Sequence, residues 1–112
     1  MRLAPGRLTQ VLLNLALNAG DAMGTRKDRR LVVRASRQDR TVRLEIEDTG
    51  PGVPIELRDR IFEPFVTTKE VGEGTGLGLA VCRGIIEGAG GTIALDPSFA
   101  AGARFVVELP EG

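Results

Sequence analysis

The sequence predicts an α/β fold: a two-layer sandwich in which a mixed β-sheet carries about three helices on one face. Three observations predict it. Two long stretches repeat apolar residues at helical spacing, and several short ones alternate apolar and polar residues as strands do. Their order is helix, two strands, loop, helix, two strands, which layers helices against a sheet.

From Gly6 to Met23 the residues Leu8, Val11, Leu12, Leu15, Ala16, Ala19 and Met23 recur three and four apart, the mark of one buried helical face, and Gly24 stops the run. After a polar loop, Leu31, Val33 and Ala35 alternate with Val32, Arg34 and Ser36 as a strand. Gln38-Asp39-Arg40 turns the chain. Val42, Leu44 and Ile46 then alternate with Arg43, Glu45 and Glu47 in the clearest strand of the sequence, broken by Asp48-Thr49-Gly50-Pro51-Gly52. A short helix is expected within Pro54 to Phe62, and a Gly- and Thr-rich loop from Glu63 to Gly76. Leu77 to Ala89 predicts a second long helix with Val81, Cys82, Ile85, Ile86 and Ala89 inward, ended by Gly90-Gly91. Thr92 to Leu95 and Ala103 to Leu109 predict a final antiparallel pair. The helix comes first with no strand ahead of it, so the fold is expected to be truncated at its N-terminal side.

The length of 112 residues fits one domain spanning residues 1–112. Four Phe with no Trp or Tyr make its core aliphatic. Fifteen basic and 15 acidic side chains cancel, which excludes wholesale attraction to nucleic acid or to an anionic membrane surface. A single cysteine, Cys82, allows no internal disulfide and fits a reducing cytoplasm. No apolar run approaches the ~20 residues needed to span a bilayer, and Met1 to Gly6 is no signal peptide. A cytoplasmic domain remains compatible with a membrane-anchored parent chain.

Three features carry chemistry. Asn14, Asn18 and Asp21 are spaced four and three apart and share one arc of the first helix, bordering its apolar stripe. Carboxamide oxygens are hard ligands suited to Mg²⁺; the other reading is a solvated polar face. Asp48 shares strand parity with Val42, Leu44 and Ile46, so its carboxylate points inward at the strand's end. There it either starts a turn or accepts from the exocyclic amine of adenine, with Gly50 and Gly52 letting a planar ligand approach the backbone. Gly72-Glu73-Gly74-Thr75-Gly76-Leu77-Gly78-Leu79 runs straight into a helix, where free N–H groups and the helix dipole favour phosphate. It is neither a Walker loop nor a dinucleotide fingerprint, and the alternative reading is a linker.

In this order the three features resemble the superfamily of DNA gyrase, Hsp90 chaperones, MutL repair proteins and histidine kinases. Gln10 to Ala19 looks like the N box, and Asp48-Thr49-Gly50-Pro51-Gly52 like the first glycine box. Ile61-Phe62-Glu63-Pro64-Phe65, continued to Thr67-Thr68-Lys69, looks like the F box, and Gly74-Thr75-Gly76-Leu77-Gly78-Leu79 like the second glycine box. Gly90-Gly91-Thr92-Ile93 and Gly102-Ala103-Arg104-Phe105 to Leu109-Pro110 match the closing strands of the kinase domain.

The resemblance implies a Bergerat-type ATP-binding fold. Asn18 would bind Mg²⁺, with Asn14 assisting at metal or phosphates, and both would be catalytic. Asp48 would bind the adenine amine, with Gly50 and Gly52 admitting the base. Thr68, Lys69, Gly74, Thr75, Gly76, Leu77 and Gly78 would complete the nucleotide site. A lid from about Thr67 to Thr75 would be anchored by Phe62 and Phe65, with Lys69 either at the γ-phosphate or on the surface. Water-activating members of the superfamily place Glu where this chain has Asn14, and a neutral amide cannot act as general base; Glu45 and Glu47 lie on the other strand face and are poor substitutes. The implied activity is therefore that of a two-component sensor histidine kinase: the γ-phosphate of ATP passes to a histidine on separate dimerisation helices and serves a response regulator indirectly. The chain has no histidine of its own to phosphorylate, so isolated autophosphorylation is not expected. Alternatives are a serine kinase of the anti-sigma type and a non-catalytic nucleotide-sensing module.

Overall fold

A computed structural model describes residues 5–23, 30–50, 52, 58, 60–63, 78–99 and 102–110. Helix α1, Pro5–Met23, opens on a proline, whose missing N–H costs nothing in a first turn. Its Val11, Leu15 and Ala19 are buried in one stripe, flanked by half-buried Leu8 and Leu12. Strands β1, Leu31–Gln38, and β2, Thr41–Asp48, form a hairpin whose turn residue Asp39 takes a φ of 55°, a left-handed conformation that a short polar side chain tolerates. Helix α2, Gly78–Gly88, is followed by β3, Thr92–Leu95, and β4, Arg104–Pro110.

The sheet order is β1-β2-β4-β3, and every neighbouring pair is antiparallel. The α/β layering is as the sequence predicts, but the sheet is antiparallel rather than mixed among the described residues. The physical reason is an insertion. A helix between β2 and β3 does return the chain in β2's direction, but β4 wedges between the two, so no parallel pair touches. Two helices fall among the described residues; the short one expected within Pro54 to Phe62 lies mostly outside them.

Both helices cover the same sheet face. The core joins Val11 and Leu15 of α1, Cys82 and Ile86 of α2, Leu44 and Ile46 of β2, and Phe105, Val107 and Leu109 of β4. It is aliphatic apart from Phe105, against which the half-buried Phe62 sets its ring edge-on at 6.0 Å between centroids. Strand β4 shows strict alternation, with Phe105, Val107 and Leu109 inward and Arg104, Val106 and Glu108 outward. Val81, expected inward, is exposed instead. It sits about 100° round the helix from Cys82, on the far side from Ile86.

Helix α2 ends as its glycines predict. The Gly90 N–H donates to the Glu87 carbonyl at 3.0 Å and the Gly91 N–H to the Ile86 carbonyl at 2.9 Å, with Gly90 at a φ of 83°. This is a Schellman cap. Gly91 also lies on β4: a Cβ there would sit 2.3 Å from the Glu108 carbonyl oxygen.

Candidate nucleotide site

The inward parity of β2 carries past its apolar residues to Asp48, which is only 4% exposed. A carboxylate so buried needs donors. Its Oδ1 accepts from the Gly50 N–H at 2.8 Å and from the Ala103 N–H at 3.3 Å. The main chains join in turn, the Asp48 N–H donating to the Ala103 carbonyl at 2.9 Å. Among the described residues nothing donates to Oδ2. The end of β2 thus presents one buried carboxylate oxygen that has no donor among the described residues.

The backbone around it is tightly drawn. Gly52 has a φ of 78°, and a Cβ there would lie 3.0 Å from the Gly102 carbonyl oxygen. The Arg30 N–H donates to the Thr49 hydroxyl at 2.9 Å, tying the turn to the chain that leads into β1. Asp48, Gly50 and Gly52, grouped by the sequence pattern, are therefore neighbours in space, joined by Gly102 and Ala103.

Asn14 and Asn18 are half-buried and one turn apart on α1. The Asn14 side chain hydrogen-bonds the Cys82 thiol of α2, and that thiol donates to the Val11 carbonyl at 3.7 Å. Burial pushes the Cys82 thiol above its ordinary 9.0, against the opposing pull of the Asn14 bond and its own backbone. Asn14 therefore faces α2, while Asn18, one turn further on, is half-buried. Gly78 is the first residue of α2, exposed, with nothing within 4 Å of where a Cβ would stand. Thr68, Lys69, Gly74, Thr75, Gly76 and Leu77 lie outside the described residues, as do Phe65 and the Asp21 side chain.

One cluster escaped the sequence reading. Glu47, expected on the outer strand face, is only 6% exposed there. Arg104 Nη2 reaches its Oε2 at 2.8 Å, and Arg34 pairs with its Oε1. Arg104 also meets Asp96 at 3.2 Å and lies 4.2 Å from the Phe99 ring centroid. The Ser98 hydroxyl and N–H donate to Asp96 Oδ1 at 2.7 and 2.9 Å, and hold that carboxyl below its ordinary 3.8, with smaller help from Arg104. The signal was present in strand parity, since Arg34, Glu47 and Arg104 all fall on the outer face.

The fold is a two-layer α/β domain with a buried carboxylate at the end of β2. A family model described as histidine kinase-, DNA gyrase B-, and HSP90-like ATPase matches residues 4–112, and the chain belongs to that family. Within it the chain is an ATP-binding domain of the sensor histidine kinase type. It is 43% identical over 118 residues to the sensor kinase CckA of Brucella abortus (strain 2308), covering 94% of this chain and 12% of that one. It is 45% identical over 106 residues to the sensor histidine kinase ZraS of Escherichia coli (strain K12), covering 95% of this chain and 22% of that one. The chain thus spans less than a quarter of either relative. The catalytic domain of histidine kinase ThkA superposes with a TM-score of 0.82 at 37% identity, covering 97% of this chain and 69% of that one. Full-length ShkA in complex with AMPPNP superposes with a TM-score of 0.79 at 40% identity, covering 94% and 21%. No helix among the described residues is long and apolar enough to cross a membrane.

Proposed function

We propose that this domain binds Mg·ATP between the amide-bearing flank of α1 and the sheet, and passes the γ-phosphate to a histidine on separate dimerisation helices. The observation that carries the reading is Asp48 Oδ2, a buried carboxylate oxygen to which nothing donates among the described residues. It fits the exocyclic amine of adenine and repels the carbonyl that a 6-oxo purine shows at the same place. Gly50 and Gly52 add no side chain of their own to the turn beside it, which suits a planar base.

In this reading Asn18 is a Mg²⁺ ligand and Asn14 assists it at the metal or the phosphates. Carboxamide oxygens suit a cation that keeps most of its shell as water and phosphate. Thr68, Lys69, Gly74, Thr75, Gly76, Leu77 and Gly78 hold the phosphates along the lid and the start of α2, whose N–H groups favour anions. The metal would neutralise charge on the transferred group. Asn14, unlike a carboxylate, offers no base to water, so hydrolysis is not promoted and an imidazole nucleophile is favoured. The chain contains no histidine, so the acceptor is on another domain and a response regulator is served through it.

The test mixes this chain with Mg·ATP and a histidine-bearing helical hairpin. Calorimetric binding followed by acid-labile phosphate on the hairpin is the expected result. Acid-stable phosphate on a serine would favour a serine kinase of the anti-sigma type. Binding with no transfer to either would favour a nucleotide-sensing module. Absence of binding would refute the proposal. Asn18→Ala is expected to weaken Mg·ATP more than metal-free ATP, and equal losses would remove Asn18 from the metal.

A further inference from the structure

We infer that Gly102 and Ala103, at the start of β4, are positioning residues that set base specificity by fixing which oxygen of Asp48 faces the nucleotide. The inference rests on the nucleotide reading above and names a part of that site which neither motif spacing nor the glycine boxes supply.

A carboxylate free to rotate offers two equivalent acceptors and reads a base poorly. Asp48 is not free. Its Oδ1 takes two backbone N–H groups, one from its own turn at Gly50 and one from Ala103, 55 residues further along the chain. The Ala103 carbonyl accepts the Asp48 N–H, so the two strand ends hold each other in both directions. Two donors on Oδ1 leave only Oδ2 for a ligand and fix the direction in which it accepts.

The clip closes only because residue 102 has no side chain. A Cβ at Gly102 would lie 2.0 Å from the Asp48 carbonyl oxygen, 2.9 Å from its carbonyl carbon and 3.1 Å from Oδ1. The first two are backbone atoms, and no rotamer change relieves such an overlap. Any larger residue must push the start of β4 away from the end of β2. The Ala103 N–H then leaves Oδ1, and the carboxylate gains the rotation it lacked. Gly52 adds to the same packing from the other side, its missing Cβ facing the Gly102 carbonyl at 3.0 Å.

The measurement is the ratio of ITP to ATP dissociation constants in the presence of magnesium. ITP replaces the amine with a carbonyl and leaves the phosphates untouched. The wild-type chain is expected to favour ATP by roughly ten- to a hundredfold, the value of one bond to a charged acceptor. Gly102→Ala is expected to bring the ratio to within about threefold of one, because the displaced carboxylate no longer discriminates. A role confined to stability would lower the melting temperature without moving that ratio. A folded Gly102→Ala chain that keeps the wild-type ratio would overturn the inference.

Should that variant fail to melt cooperatively, amide shifts decide. Replacing Asp48 by Asn is expected to move the backbone N–H resonances of Gly50 and Ala103 together, since both bond one oxygen. Movement at Gly50 alone would overturn the clip. A wild-type chain that binds neither nucleotide would instead refute the nucleotide reading, a separate failure.

Discussion

Asp48→Asn tests the site at its centre. The substitution changes one oxygen to an amide nitrogen, and the surroundings dictate which one. Oδ1 faces the Gly50 and Ala103 N–H groups, so the new side chain must keep its oxygen there. The NH₂ then takes the place of Oδ2 and, on the nucleotide reading proposed above, points a donor at the adenine amine. Losing a bond to a charged acceptor costs about 1.5–3 kcal/mol, and stranding a buried donor adds about 1–3 kcal/mol. A total of about 2.5–6 kcal/mol raises the ATP dissociation constant by roughly 70- to 25,000-fold. The same NH₂ would suit the carbonyl of a 6-oxo purine, so the preference between ATP and ITP should invert. Folding should change little, because both backbone bonds to Oδ1 survive. Isothermal titration with each nucleotide, beside a thermal melt, reads all three effects. Unchanged ATP affinity, or equal losses for ATP and ITP, would refute the reasoning.

Leu15→Ala empties a core position that is 1% exposed and should cost about 2–5 kcal/mol, a large part of a total stability of about 5–15 kcal/mol, read as a shift in the urea midpoint. Cys82 is fully buried and its thiol is raised in pKa, so a disulfide reagent at pH 8 should find no reactive thiol until denaturant is added; fast native labelling would contradict the packing of α1 on α2. Ser98→Ala removes the main cause of Asp96's lowered pKa. Stability from a depressed carboxyl is present above its unfolded value of 3.8 and disappears as pH falls through the lower folded value. The melting-temperature gap between wild type and Ser98→Ala should therefore hold at neutral pH and close below pH 3.8; a gap that widens in acid would contradict it.

Local periodicity made much of this fold readable. Val11, Leu15 and Ala19 fall on the stripe their spacing marks, and the parity of Leu44 and Ile46 extends to Asp48 and predicts its burial. Gly90 and Gly91 end α2 because their chemistry is local. What periodicity could not carry was anything decided by distant partners. Glu47 has the parity of a solvent-facing residue, but Arg104, 57 residues away, covers it. The antiparallel sense of the sheet follows from where β4 inserts, which strand patterns do not encode. The same holds at the site. Asp48 could be read as a base-facing carboxylate or a turn former; Oδ1 serves the turn, and among the described residues nothing donates to Oδ2. That division depends on the Ala103 N–H, and no motif around Asp48 announces it.

The middle of this sheet is laid down last. β4 follows every other described strand in sequence, yet it lies between β2 and β3 and supplies Phe105, Val107 and Leu109 to the interior. Among the described strands, until β4 emerges β1 and β2 pair only with each other, and β3 has no neighbour to join. Such a hairpin is marginal in water. Closure of the described sheet therefore waits for β4, and folding is paced by long-range pairing. A premature stop anywhere before Gly102 would leave no smaller working unit: it would remove the centre of the sheet and the second amide on Asp48 together.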